Sequence, residues 1–483
     1  MEPLNLLFIL SDQHSRNGLG CYGNPIVQTP HLDRLAEQGT VFRAAYTTCP
    51  ICVPARASLA TGRYVHQTGH WDNAFPYRGT PASWGHRLTT QGVHVDSIGK
   101  LHFSGANDDL GFTDQIEPLY VVDGVGDLLS CVRDDAPLRD KRPGLNEAGG
   151  GDSTYLRYDV RNADNACAWL QQHATDAQPW VLFLSFVCPH PPYIAPPDCY
   201  ALYEGKDLPS MPQHQPELWP DHPALAHFRR FFNLDQPLPE AVWHKVMAAY
   251  YGACTHLDRQ IGRVLEALNA NGLVERTRIL YTSDHGESLG ARGLAGKFTM
   301  YDESAGIPLI LAGPDVPRGQ SVSTPVSLVD CFPTVLHAVG GEMTPEDEQL
   351  PGESLWRAAT AGDRARTVLS EYHAVGSRHA IYMLRNRRYK YIHYVNEPAQ
   401  LFDLIADPRE EVDLALSPQH ADRLAAFARE LRDLLDPVAT DARAKVDQQA
   451  MVQRFGGREA VIARGTFTNS PTPDEQPTFA RFN

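Results

Sequence analysis

The chain has 483 residues, 42% hydrophobic and 21% charged, with a formal net charge of −15. A polypeptide this long exceeds one compact core, since single cores stop growing near ~250–300 residues, so more than one part is expected. The acidic balance, with no Lys/Arg cluster to reverse it locally, argues against nucleic acid as a partner, and no segment approaches the ~20 apolar residues that span a bilayer.

In chain order, residues 4–10 read as a buried first strand. No basic residues precede this run and no small-residue cleavage site follows it, so it is not read as a signal segment and a cytoplasmic protein is expected. Further short apolar runs fall at residues 93–98, 181–186, 278–281 and 308–311, with helical stretches between them. That alternation predicts an α/β fold: a mostly parallel sheet covered by helices on both faces, with ligands collecting at the carboxyl ends of the strands. Two acidic motifs stand there, Ser11-Asp12-Gln13 after the first run and Ser283-Asp284-His285-Gly286 after the fourth. The proline-rich stretch 189–239 is read as ordered loops over the sheet edge, followed by a helix over 241–268. After residue 371 the pattern changes to a hairpin, 380–384 and 389–394, then a helix over 420–435 and a tail with weak periodicity. The expected parts are therefore a main domain, 1–370, a C-terminal α+β subdomain, 371–436, and a tail, 437–483. The nine cysteines are scattered and odd in number, which reads as mostly free buried thiols and not a disulfide framework.

The most specific stretch is Cys52-Val53-Pro54-Ala55-Arg56, continued by Ser58 to Arg63. Proline two residues past the cysteine suits the first turn of a helix, placing Cys52 at a helix N-terminus, where free N–H groups and the macrodipole favour an anion. A small core cysteine, or a C-x-x-C pair with Cys49, leaves Pro54 and Arg56 unexplained. A tyrosine-phosphatase loop needs arginine six positions after its cysteine; here the spacings are four and seven, which excludes it.

Cys52-x-Pro54-x-Arg56 with Thr61-Gly62-Arg63 resembles the signature of type I sulfatases. The resemblance implies an alkaline-phosphatase-like α/β/α sandwich with a smaller C-terminal antiparallel sheet. It also implies that a formylglycine-generating enzyme oxidises Cys52 to formylglycine. One hydroxyl of the hydrated aldehyde then attacks the ester, and the other later expels it. Asp12, Gln13, Asp284 and His285 match the family's metal positions, with Cys52 beside them. Gln13 and His285 depart from the commoner aspartate and asparagine and resemble the choline-sulfatase and phosphonate-monoester-hydrolase branch. Oxygen-rich ligation favours Ca²⁺, and the imidazole admits Mn²⁺.

Gly99-Lys100-Leu101-His102 resembles the family segment that sets a lysine and a proton-accepting histidine around the nucleophile. Pro189-His190-Pro191-Pro192-Tyr193 resembles the loop whose histidine protonates the leaving alcohol, and Gly296-Lys297 stands in the place of a second oxyanion-binding lysine. Arg56 is expected to hold the formylglycine hydroxyl, and Asn73 of Asp72-Asn73 to bind an ester oxygen. Arg63 is read as a partner of the aspartates beneath the metal. The matched motifs run from residue 5 to about 414, including Tyr389-Lys390-Tyr391-Ile392 and Leu401-Phe402-Asp403-Leu404. The tail matches nothing and is expected to be an oligomer-forming arm. The expected reaction is cleavage of an organic sulfate monoester. Its rivals are a phosphonate monoester or phosphodiester hydrolase, against which Lys100 weighs, and a non-catalytic binding module. Trp71, Asp72 and Tyr77 offer groups of the sort that hold quaternary ammonium, and read equally well as core packing.

Overall fold

A computed structural model of the protein describes residues 3–139, 142, 144–467 and 469–480. Its centre is an eight-stranded sheet built from β1 (Asn5–Asp12), β2 (Gly39–Phe42), β3 (His94–Lys100), β4 (Asp114–Leu119), β5 (Trp180–Pro189), β6 (Thr277–Ser283), β7 (Leu309–Ala312) and β8 (Gln320–Val322). Their spatial order is β8-β2-β7-β6-β1-β5-β3-β4. The run from β6 to β4 is parallel, with Leu6 opposite both Val181 and Arg278, while β7 is antiparallel to its two neighbours.

The central strand explains the layering. Side chains along β1 alternate, so Leu6, Phe8 and Leu10 enter one layer and Leu7 and Ile9 the other. The first layer packs under α2 (Cys52–Thr61) and α5 (Cys331–Val339), with Ala55, Leu59, Phe332 and Val335. The second packs under α1 (Pro30–Glu37), α3 (Thr154–Gln172) and α4 (Glu240–Ala270), with Leu32, Leu156, Leu257 and Ile261. This is the α/β/α sandwich expected from the alternation of runs. The stretch 189–239 is less irregular than expected: it carries a nine-residue helix, Pro223–Phe231, with Pro223 preset for the first turn.

A second sheet is antiparallel: β9 (Val368–Tyr372), β10 (Ile381–Arg385), β11 (Tyr389–Tyr394) and β12 (Gln400–Asp403) in sequence order. Helix α6 (Ala421–Leu434) covers it, with Phe427 stacked on Tyr391. The tail forms α7 (Pro437–Arg454) and α8 (Arg458–Arg464) and lies against its own chain. Trp71 Nε1 donates to Asp447 Oδ2 at 2.7 Å, and Gln448 Nε2 to Asp72 Oδ2 at 2.6 Å. All nine cysteines are free, and no described helix is long and apolar enough to cross a membrane.

Candidate active site

The carboxyl ends of β1, β3, β5 and β6 meet on one rim, and the motifs sit on it. The first helix of the Cys52 stretch begins on Cys52 itself, and every residue of α2 is buried. Cys52 Sγ lies 3.1 Å from His285 Nε2, 3.2 Å from Lys297 Nζ and 3.8 Å from Asp12 Oδ1. Burial first, and then Asp12, push the Cys52 thiol up to about 11 against the pull of Lys297 and Lys100. The free thiolate is therefore a minor species near neutrality.

The donor set suits a divalent cation. One ligand atom each from Asp12, Cys52, Asp284 and His285 lies within 4.8 Å of the others, and all four residues are buried. His285 Nδ1 donates to Gly286 O, which leaves Nε2 with its lone pair toward the cluster, and burial draws this imidazole down to about 4, so it is neutral and able to ligate. Gln13 joins the same rim, where its Oε1 accepts from Lys297 Nζ at 2.7 Å and its Nε2 donates to Glu287.

Beneath this cluster Arg56 neutralises the carboxylates. Its Nε donates to Asp284 Oδ2 at 2.9 Å and its Nη2 to Asp12 Oδ2 at 3.1 Å, while Nη1 reaches Lys100 O and Ser185 Oγ. Lys100 Nζ meets Asp12 Oδ2 at 2.5 Å. Burial would raise Asp12, but Lys100, His190, Arg56 and Lys297 together hold it well below the usual carboxylate range. Gln13 and His102 both adopt left-handed backbone, at φ 64° and 56°. Such strain in non-glycine residues, of order 1–3 kcal/mol each, persists where surrounding structure fixes it and gathers at functional rims.

His190 Nδ1 donates to Pro191 O at 2.7 Å, which leaves Nε2 as the working atom; burial and then Lys297 hold the ring well below the ordinary histidine range. Tyr155 packs edge-on against it. His102 is likewise pushed well down by burial and then Lys100. Its Nε2 is 2.8 Å from Ser470 Oγ, and its Nδ1 has no hydrogen-bond partner among the described residues.

One expected partner differs, that of Arg63, and the structure adds contacts for Asn73 and for Trp71, Asp72 and Tyr77. Asn73 Oδ1 accepts from Val53 N at 3.1 Å, so its carbonyl end caps the first turn of α2. Arg63 turns to the surface and pairs with Glu346 at 2.6 Å, away from the aspartates. Trp71, Asp72 and Tyr77 are fully buried, and the tail engages the first two, so these groups are packing and form no open aromatic cage. Two residues escaped the sequence reading. Glu287, which also accepts from Tyr193 at 3.0 Å, stands three residues after Asp284 and was legible as part of that motif. Ser470, whose carbonyl also accepts from Tyr155 at 2.6 Å, carries no local signal.

Comparison with known proteins gives the same assignment. The sulfatase family model matches residues 4–341, and the N-sulphoglucosamine sulphohydrolase C-terminal model matches residues 290–436. The chain is 30% identical to a choline-sulfatase of Rhizobium meliloti (strain 1021), over 86% of this chain and 83% of that protein. It is 28% identical to arylsulfatase K of Xenopus laevis, over 89% and 82% of the two chains. Among solved structures, the phosphonate monoester hydrolase of Silicibacter pomeroyi superposes with a TM-score of 0.72 at 25% identity, covering 89% of this chain and 94% of that one. With the sheet, the rim and these matches in agreement, the chain belongs to the sulfatase family within the alkaline phosphatase superfamily and is a sulfuric ester hydrolase.

Proposed function

We propose that the protein hydrolyses an organic sulfate monoester, so that ROSO₃⁻ and water give ROH, sulfate and a proton. In this reading Cys52 carries the nucleophile after a formylglycine-generating enzyme has oxidised it. Asp12, Gln13, Asp284, His285 and residue 52 hold one divalent ion, Ca²⁺ or Mn²⁺. The observation that carries the reading is the meeting of Cys52 Sγ with His285 Nε2 and Lys297 Nζ, at 3.1 and 3.2 Å, at the buried start of a helix. When present, the hydrated aldehyde and the ion supply a hydroxyl nucleophile and a Lewis acid.

The chain's own groups do the rest. Lys297, whose ammonium is stabilised against burial by Cys52 and Asp12, and Lys100 offer fixed positive charge to the sulfate oxygens. His102 is anchored through Nε2 on Ser470, and its Nδ1 is the atom that takes a proton from the nucleophile. His190 Nε2 delivers a proton to the departing alcohol. Because the ring is neutral in the protein alone, that proton is taken up together with the anionic substrate, whose charge opposes the effect of Lys297. His190→Ala is therefore expected to slow an alkyl sulfate by about 10²–10⁴-fold and an aryl sulfate with an acidic phenol far less. Equal losses on both, in steady-state kinetics, would remove His190 from this role.

The direct test is the mass of the tryptic peptide containing Cys52 after co-expression with the maturation enzyme, alongside turnover of an aryl sulfate and an aryl phosphodiester. A loss of about 18 Da, thiol to aldehyde, with the sulfate preferred, is the expected result. An unmodified cysteine in a fully active protein overturns the nucleophile assignment. The second reading, a phosphonate monoester or phosphodiester hydrolase, is favoured by the overlay on the Silicibacter pomeroyi enzyme. Preference for the phosphodiester in the same assay would select it.

A further inference from the structure

A second group of metal-ligating side chains stands at the amino ends of the strands, opposite the rim. His94 opens β3, Asp96 follows on the same side of the strand, and His173 caps the C-terminus of α3. One ligand atom from each lies within 4.8 Å of the others. His94 Nε2 and Asp96 Oδ2 are 2.8 Å apart, and the two imidazole rings lie 5.2 Å apart between centroids. Strand and helix are distant in sequence, so the convergence is tertiary. His94 pairs with Trp180 at the start of its strand, six residues before Lys100, which puts the group about 20 Å from the catalytic rim at 3.3 Å per residue.

We propose that His94, Asp96 and His173 form a peripheral site for Zn²⁺ or a cation of similar ligand preference, which clips the end of α3 to the start of β3. Two imidazoles and one carboxylate are the donor set of borderline divalent ions and not of Ca²⁺, which takes oxygen. The supporting contacts resemble those that orient metal ligands. Trp169 Nε1 donates to Asp96 Oδ2 at 2.7 Å and its ring stacks on His173 at 4.0 Å, which fixes the carboxylate and the second imidazole together. Asp176 Oδ2 lies 2.7 Å from His173 Nδ1, which leaves Nε2 as the ligand nitrogen. Ion pairs account for His94 with Asp96 and for His173 with Asp176, but not for the approach of the two imidazoles to each other, 5.2 Å between centroids. The His94 side chain is 40% exposed and that of His173 23%, so His94 can swing in to reach bonding distance, and water can complete a tetrahedral shell.

The experiment titrates Zn²⁺ into the full chain already saturated with Ca²⁺, comparing the wild type with His94→Ala/His173→Ala. Zn²⁺ per chain is read by equilibrium dialysis and Tm by calorimetry. The expected result is one more Zn²⁺ bound per wild-type chain, and a rise in Tm of a few degrees that the double variant lacks, because an ion that binds only the folded state stabilises it by mass action. Turnover of an aryl sulfate without Zn²⁺ should match the wild type in both proteins, since neither histidine touches the rim. Equal Zn²⁺ counts, or the same Tm rise in both, overturn the site. Should the double variant fail to fold, His94→Gln, at the most exposed ligand, is compared in its place with the same two outcomes.

Discussion

Cys52→Ala is expected to lower turnover of a sulfate ester by a factor on the order of 10⁴ or more while leaving a folded protein. The physical reason is the isolation of the position. Around Cys52 Sγ stand an imidazole, an ammonium and a carboxylate, and none of these replaces an oxygen nucleophile on sulfur. The side chain is small and stands at the helix start, so alanine keeps the α2 geometry and the Val53 to Asn73 cap. Cys52→Ser separates two chemistries: where peptide mass shows that the serine is unoxidised, it keeps a single hydroxyl without an aldehyde, so its inactivity points to the geminal hydroxyls. Single-turnover rates on an aryl sulfate decide it. A Cys52→Ala protein within about tenfold of wild type places the chemistry elsewhere.

The largest effect on stability is expected at Arg56. Its guanidinium is buried between Asp12 and Asp284, with its remaining Nη1 donor on Lys100 O and Ser185 Oγ, so Arg56→Ala takes the buried Asp284 from its guanidinium and leaves Asp12 to Lys100. Removing one partner of such a pair costs about 3–5 kcal/mol, because the remaining charge is uncompensated. Arg56→Lys recovers less than half, since one ammonium cannot span both carboxylates and the carbonyl in a fixed fork. Urea unfolding read with and without a divalent ion tests the account. The loss should shrink when the ion is saturating, because a bound cation supplies part of the missing positive charge. A midpoint for Arg56→Ala unchanged under both conditions removes Arg56 as the electrostatic floor of the site.

The parts of the fold legible in the sequence are those where one interaction dominates. Residues 4–10 read as a strand, observed as Asn5–Asp12, because both faces are buried and the run from Leu6 to Leu10 is continuously apolar. β4, with sequence Asp-Gln-Ile-Glu-Pro-Leu, is an edge strand, half exposed and carrying a proline, so neither alternation nor β-propensity marks it. β2 has four residues and begins with glycine; it is a strand because β7 and β8 flank it. α7 hid for another reason: its buried face mixes Thr440, Asp441 and Gln448 with Ala444 and Val452, so the apolar residues alone leave weak helical periodicity. The motifs around Asp12, Lys100, His190 and Asp284 were legible because each lies at the end of a readable strand, and the Cys52 motif because Pro54 marks the helix that starts there. Ser470 was not, since its meeting with His102 is made only by the path of the tail.

Burial of every residue in α2 also sets a deadline for any protein that modifies Cys52. A macromolecular catalyst cannot reach a thiol buried at the start of that helix, so on the proposed reading the modification would be decided while the chain is still open. Under the proposed nucleophile, maturation and folding would compete as two rates, and the fraction of active molecules would record which was faster. Slower translation or a lower growth temperature should raise that fraction without altering a single contact in the finished protein.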